Sequence, residues 1–230
     1  MPQSSPHANK APSRVSLQRI QHKELLFQTD EAVKQMTKEE YRDLFDSEGR
    51  IKNMETFPSI FYNKEVDLAV AGDLWKLLLN PGDATKTASE RKQTDIKNRE
   101  LYKQVKRQWQ VTTPRQWINY PLFRNLVQSL EDDLDHNENL FKEFKRPDCV
   151  KRIAFNILLT LAAWNWDGAA YAENSNDPIP GLLITFLSPF LDSFIKDADC
   201  KTVTTHEGEV VDIEEAEADI FWCFEQFYEY

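Results

Sequence analysis

The sequence predicts an all-α fold, and three observations lead to this prediction. Several segments repeat apolar residues at the i, i+3 and i+4 spacing of a helix face, most clearly residues 150–164. Two segments, beginning at Thr37 and Thr87, place Glu three residues after Thr, which is the spacing of a helix N-terminal capping box. No segment alternates convincingly between apolar and polar residues with the period of two that marks a strand.

Length and composition bound the class of protein. A chain of 230 residues, 41% of them hydrophobic, is long and apolar enough for one packed domain. The net charge of −10 disfavours a nucleic-acid partner, because phosphate binding requires a concentrated cationic surface. Three cysteines, odd in number and far apart, favour reduced thiols and a cytoplasmic location. No apolar run reaches the roughly 20 residues of a transmembrane helix, and the N-terminus lacks the apolar core of a secretory signal.

The N-terminal segment, residues 1–36, is predicted to be a disordered basic tail. It is rich in Pro and Ser, and it contains Lys and Arg but no acidic residue before Glu24. This composition is typical of a solvated leader. Contact between the tail and anionic lipid at an endomembrane surface stays open as a second role.

From Thr37 the chain is predicted to form one helical domain, residues 37–230. A short helix opens at the Thr37 capping box, and Gly49 forms a turn. Residues 68–79 are largely apolar and end at the sequence Asn80-Pro81-Gly82, which predicts a buried helix with a defined stop.

A long helix is predicted from the Thr87 capping box to about Trp109. It carries one narrow apolar stripe among charged residues, which predicts a surface element and not a core one. Pro114 and Pro121 each open a short helix, since proline is favoured in the first helical turn.

The second half is organised around a helix from Val150 to about Trp164, which is apolar nearly all round and is therefore predicted to be buried. A dense polar segment, residues 130–137, precedes this helix. A second polar segment, residues 171–177, follows it. Because a rigid helix fixes the separation of its ends, these two segments are predicted to be loops that face one common site.

Two more helices are predicted towards the C-terminus. Residues 179–195 form an apolar helix weakened by Pro189, and residues 196–213 form a polar insertion. A helix with a large aromatic face begins at about Glu214. Since no later helix follows, this face is predicted to form an exposed apolar patch, as at an interface or in a truncated chain. Its main members are Phe221, Trp222, Phe224 and Phe227.

The residue types needed for catalysis or metal binding are not grouped in the usual motifs. The six glycines are too dispersed for a phosphate-binding loop. Residues 133–139 place Asp or Asn at four ligand positions of an EF-type calcium loop. However, Glu138 replaces the required Gly, and Phe144 replaces the bidentate Glu. No metal site and no cofactor are predicted.

Five short segments carry a pattern in a fixed order. They are EGRI at 48–51, WKLLL at 75–79, LEDDLDHN at 130–137, YAENSND at 171–177 and DIFWCF at 219–224. Together they resemble the TBC domain, the helical fold of Rab GTPase-activating proteins, whose matching segments read EGRI, WKxLLG, IxxDxxRT, YxQGMND and DAFWCF. The resemblance covers residues 43–230. It implies the N-terminal helical lobe of such a domain, incomplete at its C-terminus.

In that family, two of these segments supply catalytic fingers to a bound GTPase, an Arg that neutralises charge on the γ-phosphoryl group and a Gln that orients the attacking water. This chain has His136 at the Arg position and Glu173 at the Gln position. An arginine finger is worth about 10³ to 10⁵ in rate, and histidine lacks its planar fork. A carboxylate near the phosphate repels it by roughly 4 kcal/mol at an effective dielectric of about 20. Both substitutions predict loss of activity.

The resemblance also implies a partner and a binding site. The partner is a small GTPase of the Rab family in its GTP-bound form, met in the cytoplasm or at an endomembrane surface. The partner-binding residues are Asp133, Tyr171, Asn137 and Asn174. For Asp133 and Tyr171, a purely structural role in their own loops is an equal alternative.

Three functional hypotheses follow. The first is a catalytically degenerate TBC-like protein that binds a small GTPase or a membrane-traffic partner without accelerating hydrolysis. The second is an active Rab GTPase activator, not itself an enzyme, that uses substitute residues. The third is a helical interaction fragment with no GTPase role. The sequence does not identify the individual Rab protein.

Overall fold

A computed structural model describes residues 36–62, 65–164 and 179–229 of the chain. Within these ranges there are ten α-helices, one 3-10 turn at Glu138–Phe141 and one three-stranded sheet, so the prediction of a mainly helical fold is confirmed. The helices are α1 (Lys38–Asp43), α2 (Phe57–Tyr62), α3 (Leu68–Leu79), α4 (Pro81–Ala84), α5 (Ala88–Gln110), α6 (Pro114–Asn119), α7 (Pro121–His136), α8 (Pro147–Trp164), α9 (Ile179–Phe194) and α10 (Ile213–Glu229). The strands are β1 (Asp197–Ala198), β2 (Thr202–Thr204) and β3 (Val210–Asp212).

Both predicted capping boxes are present. The hydroxyl groups of Thr37 and Thr87 accept hydrogen bonds from the backbone N–H groups of Glu40 and Glu90, each at 3.2 Å. The Glu carboxylates accept in return from the Thr backbone N–H groups, at 3.2 and 2.8 Å. A third box, which the sequence analysis did not identify, opens α6 at Thr113. These reciprocal bonds satisfy N–H groups that a helix start otherwise leaves unpaired.

Gly49 forms the predicted turn and packs against the start of α5. Its φ is +85°, in the left-handed region that glycine adopts without strain. A Cβ atom at Gly49 would lie 2.9 Å from the Cβ of Ala88. The guanidinium of Arg91 donates to the Gly49 carbonyl at 2.6 Å and to the Lys86 carbonyl at 2.7 Å. The close packing of this turn against the start of α5 therefore requires glycine at position 49.

Gly49→Ala is expected to lower the free energy of unfolding by about 3 kcal/mol, because it adds backbone strain and a steric clash with α5. Gly208→Ala is the matched control. Gly208 has a similar φ of +89°, but a Cβ atom there would meet nothing within 4 Å, so only the strain of about 1 kcal/mol remains. Urea denaturation of both variants measures the difference. Equal losses of stability would show that the contact with Ala88 does not matter.

The main core forms around α8. Ile153, Ala154 and Ile157 are fully buried, which confirms the prediction of a buried central helix. Side chains from α5, α7, α9 and α10 complete this core. A second, smaller cluster joins α2, α3 and α4 to the segment after Gly49. Burial of apolar surface in these two clusters is the main source of stability.

The prediction that α5 is a surface element is wrong for three positions in its second half. Ile96 and Leu101 are exposed, as a surface helix requires, but Tyr102, Val105 and Lys106 are buried. One of the buried positions is Lys106, and a lysine gives no sign of burial when the sequence alone is considered. A buried lysine requires a charged partner, which is described below.

The prediction of an exposed aromatic patch on the last helix is wrong for two of its four members, Phe221 and Phe224, while Trp222 is partly buried. Ile220, Phe221 and Phe224 of α10 are at most 1% exposed, whereas Phe227 and Tyr228 are exposed. The apolar face of α10 belongs to the same core cluster as α5, α8 and α9, which cover it. Helices earlier in the chain therefore cover the apolar face of α10, and no later helix is needed for this.

The predicted polar insertion contains the small antiparallel sheet, in the order β1-β2-β3. Asp197 pairs with Thr204, and Thr202 pairs with Asp212. Val203, in the middle strand, is fully buried. Strands of two or three residues are too short to show a period of two, which is why the sequence did not reveal them. β3 continues directly into α10.

The apolar helix predicted over residues 179–195 is α9, and it continues through Pro189 to Phe194. The Trp75 indole N–H of α3 donates to the Ser193 hydroxyl at 3.1 Å, which joins the two helices. The Ser193 hydroxyl in turn donates to the Pro189 carbonyl at 2.6 Å. No helix in the described ranges is long and apolar enough to cross a membrane.

Candidate functional site

The first predicted loop, residues 130–137, is not a loop. Residues up to His136 belong to α7, and Asn137 is the C-cap residue. The prediction gave too much weight to the density of acidic residues. Leu130 and Leu134 are buried and lie four residues apart, on the same helix face as Leu126. That spacing was the signal that the helix continues.

His136 is the last residue of α7, and its side chain is exposed. Its Nδ1 lies 2.6 Å from the carbonyl oxygen of Asp132, so the ring nitrogen acts as the donor. This hydrogen bond satisfies one of the carbonyl groups that a helix end leaves unpaired. The ring is therefore held against its own helix.

The surroundings of His136 are electrostatically negative. The C-terminus of a helix carries a partial negative charge, and the carboxylate of Asp133, which interacts with His136, adds to it. A positive charge on His136 would be largely neutralised by these groups before it reached a phosphate. The geometry places the sequence-predicted residue on the surface, but it does not give it the properties of an arginine finger.

Asp133 and Asn137 are brought together with His136 in the last turn of α7. The backbone carbonyl of Asp133 accepts from the Asn137 backbone N–H at 3.0 Å and from its side-chain amide at 2.9 Å. The Oδ2 atom of Asp133 is buried without a hydrogen-bond partner among the described residues. Burial raises the pKa of Asp133, and His136 partly offsets this effect. Asn137 thus closes the helix, whereas Asp133 retains an unsatisfied acceptor.

An open groove of about 440 Å³ runs between α7 and α8 beside this turn. Its charged lining consists of four carboxylates and two cations, which are Glu131, Asp132, Asp135, Asp148, Lys151 and Arg152. Lys151 forms an ion pair with Asp135 across the groove. The excess of carboxylates suits contact with a basic protein surface and disfavours a phosphate group.

The other predicted site residues, Tyr171, Glu173 and Asn174, lie outside the described residues, between the end of α8 and the start of α9. That the two polar segments face one common site therefore stays a prediction.

A network of ion pairs joins α3, α5 and α10. Lys76 of α3 lies 2.8 Å from the carboxylate of Asp219 and 3.4 Å from that of Asp95. Arg99 donates to both oxygens of Asp219, at 2.9 and 2.8 Å, and to Glu215 at 2.8 Å. Burial alone would raise the pKa of Asp219, but the hydrogen bond from Arg99 and the charge of Lys76 hold it below its ordinary value. The network is satisfied internally.

A cavity of about 230 Å³ adjoins this network. Asp73, Glu207 and Glu209 add three carboxylates to its lining, while His206 directs its Nε2 to the Asp192 carbonyl at 2.8 Å. Carboxylates outnumber cations here as well, so a nucleotide or phosphate is disfavoured. Among the described residues, no cluster of His, Cys, Asp and Glu is arranged to hold a metal ion.

The sequence analysis missed a second charged network, which lies inside the core. Glu217 of α10 is fully buried and lies 2.5 Å from Lys106 of α5, which is 3% exposed. The hydroxyl of Tyr102 donates to the Glu217 carboxylate at 3.1 Å, and the amide of Asn156 donates at 2.7 Å. Burial raises the pKa of Glu217, and Lys106 is the strongest opposing influence.

The position of Glu217 in the sequence contained a signal for its burial. It lies three residues before Ile220 and four before Phe221, so it shares the apolar face of α10. An acid on the apolar face of a helix requires a partner from another element. The pair of Glu217 and Lys106 joins α10 to α5 inside the core.

No protein-family model matches the sequence of this chain.

Proposed function

We propose that this protein is a TBC-like helical module that binds a GTP-bound small GTPase of the Rab family without accelerating GTP hydrolysis. The observation that carries the proposal is the ion pair between Lys76 and Asp219, which are 143 residues apart. Lys76 belongs to the WKLLL segment and Asp219 to the DIFWCF segment, two of the segments on which the resemblance rests. Their direct contact supports a common architecture, because unrelated matches would be scattered over the molecule.

Other residues of the matching segments also join separate elements. The indole N–H of Trp222, in the DIFWCF segment, donates to the Asn98 carbonyl of α5 at 2.8 Å. Gly49, in the EGRI segment, accepts from Arg91 of α5. The residues that resemble the family pattern are thus those that position one helix against another, which supports their use as markers of the fold.

The proposal of binding without catalysis rests on the end of α7. His136 is exposed, but its Nδ1–H is bound to a carbonyl of its own helix and the adjacent groove is acidic. These properties favour contact with basic residues of a partner protein and oppose stabilisation of a phosphoryl transition state. We place this binding in the cytoplasm, with contact between the basic N-terminal tail and anionic endomembrane lipid as a second, separate role.

A single-turnover GTP hydrolysis assay over a panel of Rab proteins, combined with binding measurements in the GTP-bound and GDP-bound states, tests the proposal. We expect at least one Rab protein to bind in its GTP-bound state, with less than about a tenfold change in its hydrolysis rate. Asp132→Asn combined with Asp135→Asn is expected to weaken binding, because it removes charge from the groove. Glu100→Gln, at an exposed acid on α5, is the matched control and is expected to leave binding unchanged.

Two results would contradict this function. A hundredfold acceleration that disappears in His136→Ala would establish an active GTPase activator with a substitute residue. Failure to bind any Rab protein in either nucleotide state would favour a helical interaction protein without a GTPase role. The double variant His136→Arg, Glu173→Gln tests whether activity is absent because of the two substitutions or because the two segments are wrongly placed. A rise in rate is expected only if both segments still face the nucleotide.

A further inference from the structure

Two of the three cysteines, far apart in sequence, lie side by side in the fold. The Sγ atoms of Cys149 and Cys200 are 3.8 Å apart, and the residues are 51 positions apart. Cys149 lies in the first turn of α8 and is half-buried, whereas Cys200 is exposed in the turn between β1 and β2. Both are free thiols in the structure.

The backbone on both sides of this pair is held in place. Asp199 accepts hydrogen bonds from the backbone N–H groups of Lys201 and Thr202, both at 2.7 Å, and this fixes the turn that carries Cys200. Arg152 of α8 donates to the Cys200 carbonyl at 3.2 Å. The thiols are therefore positioned next to each other before any reaction. A disulfide has an S–S length of about 2.05 Å, so the two Sγ atoms, 3.8 Å apart, must approach each other for the bond to form.

We propose that Cys149 and Cys200 form an oxidation site at which hydrogen peroxide converts the two thiols into one intramolecular disulfide. The thiolate of the exposed Cys200 attacks the peroxide, so that an S–O bond forms, the O–O bond breaks and hydroxide leaves as water after protonation. The thiolate of Cys149 then attacks the sulfenic sulfur, an S–S bond forms and a second water leaves. Two thiols lose two electrons in total, and one peroxide is reduced to two waters.

The exposure of Cys200 and the raised pKa of Cys149 support this order of events. Arg146 and Arg152 favour the thiolate of Cys149, although burial and the neighbouring Cys200 raise its pKa overall. The better exposed Cys200 meets the oxidant, and Cys149 then serves as the resolving thiol. The disulfide joins the start of α8 to the hairpin that leads into α10. It closes a covalent loop, residues 149–200, that contains most of α8 and all of α9. This inference does not depend on the proposed binding of a GTPase.

The test uses the full chain, reduced and then freed of reductant, and treated with hydrogen peroxide. We expect titration to show the loss of two of the three thiols, and peptide mass mapping to find a cross-link between Cys149 and Cys200. The melting temperature is expected to rise by roughly 5–10 °C, since the cross-link restricts the unfolded chain, and to return to its starting value with a dithiol reductant. Cys149→Ser and Cys200→Ser are each expected to abolish the cross-link and the shift.

Cys223 is the internal control, because its side chain is 1% exposed and it should retain its thiol. Mapping of the wild-type chain reports on it directly, so the test does not depend on a Cys223 variant that folds. Oxidation of Cys200 to a sulfinic acid without a cross-link would overturn the proposal. A disulfide between Cys200 residues of two chains, in place of the internal one, would also overturn it.

Discussion

Glu217→Ala is expected to lower the free energy of unfolding by about 3–5 kcal/mol, because it leaves a buried charge without its partner. The substitution leaves the ammonium group of Lys106 in the core without the carboxylate that lies 2.5 Å away. It also removes the acceptor for the Tyr102 hydroxyl and the Asn156 amide. Chemical denaturation, followed by circular dichroism, measures the loss.

Two further variants locate the source of this effect. Glu214 also contacts Lys106, at 3.2 Å, but its side chain is 38% exposed, so Glu214→Ala is expected to cost less than about 1 kcal/mol. The double variant Lys106→Met, Glu217→Leu removes both charges and is expected to recover most of the stability. A double variant as unstable as Glu217→Ala would show instead that the hydrogen bonds of Tyr102 and Asn156 are the main contribution.

Phe221→Ala is expected to cost about 3–5 kcal/mol, because the side chain is fully buried and its loss leaves a cavity in the core. The ring of Phe221 lies 5.1 Å from that of Tyr102 and 5.0 Å from that of Trp222, centroid to centroid. Tyr228→Ala, two turns further along α10, is the control and is expected to cost less than about 1 kcal/mol because Tyr228 is 50% exposed. Thermal and denaturant unfolding of both variants provide the comparison.

Equal effects at Phe221 and Tyr228 would restore the earlier view of α10 as an exposed aromatic surface. The expected difference has a practical consequence for binding studies. Substitutions at Phe221 or Phe224 are expected to destabilise the protein, so a loss of partner binding in such variants reports on stability and not on an interface.

The sequence predicted those features that depend on neighbours within a few residues. The two capping boxes, the glycine turn at Gly49 and the bounds of the apolar helix at 68–79 all depend on contacts within one or two turns. The burial of α8 followed from its apolar residues alone. In each of these cases, a local pattern contains most of the interaction that it predicts.

Contacts between distant segments could not be predicted in the same way. The pairs Lys106–Glu217 and Cys149–Cys200 join residues 111 and 51 positions apart, and no periodicity in either segment identifies its partner. Lysine and glutamate are usually exposed, so neither is recognised as buried until the position of its partner in the fold is known. The error at α10 has the same origin, because the cover for its aromatic face comes from earlier helices.

Two local signals in the sequence led to opposite predictions for the candidate site. In residues 130–136, leucines four apart indicated a continuing helix, whereas four acids and a histidine indicated a loop. Apolar spacing prevailed, because Leu130 and Leu134 are anchored in the core while Glu131 and Asp132 between them are exposed. His136 is therefore exposed at the end of a helix and not in a loop.

The central position of α10 has a consequence for the order in which the chain acquires its structure. The helix that supplies Glu217 and Asp219 is the last one in the described chain, yet its partners Lys76, Arg99 and Lys106 lie more than 100 residues earlier. Closing such long loops is slow, because their entropy is lost before the contacts form. During synthesis, α3, α5 and α8 leave the ribosome well before the element that completes their packing. The apolar faces of these helices therefore stay partly uncovered in the nascent chain until α10 has been synthesised.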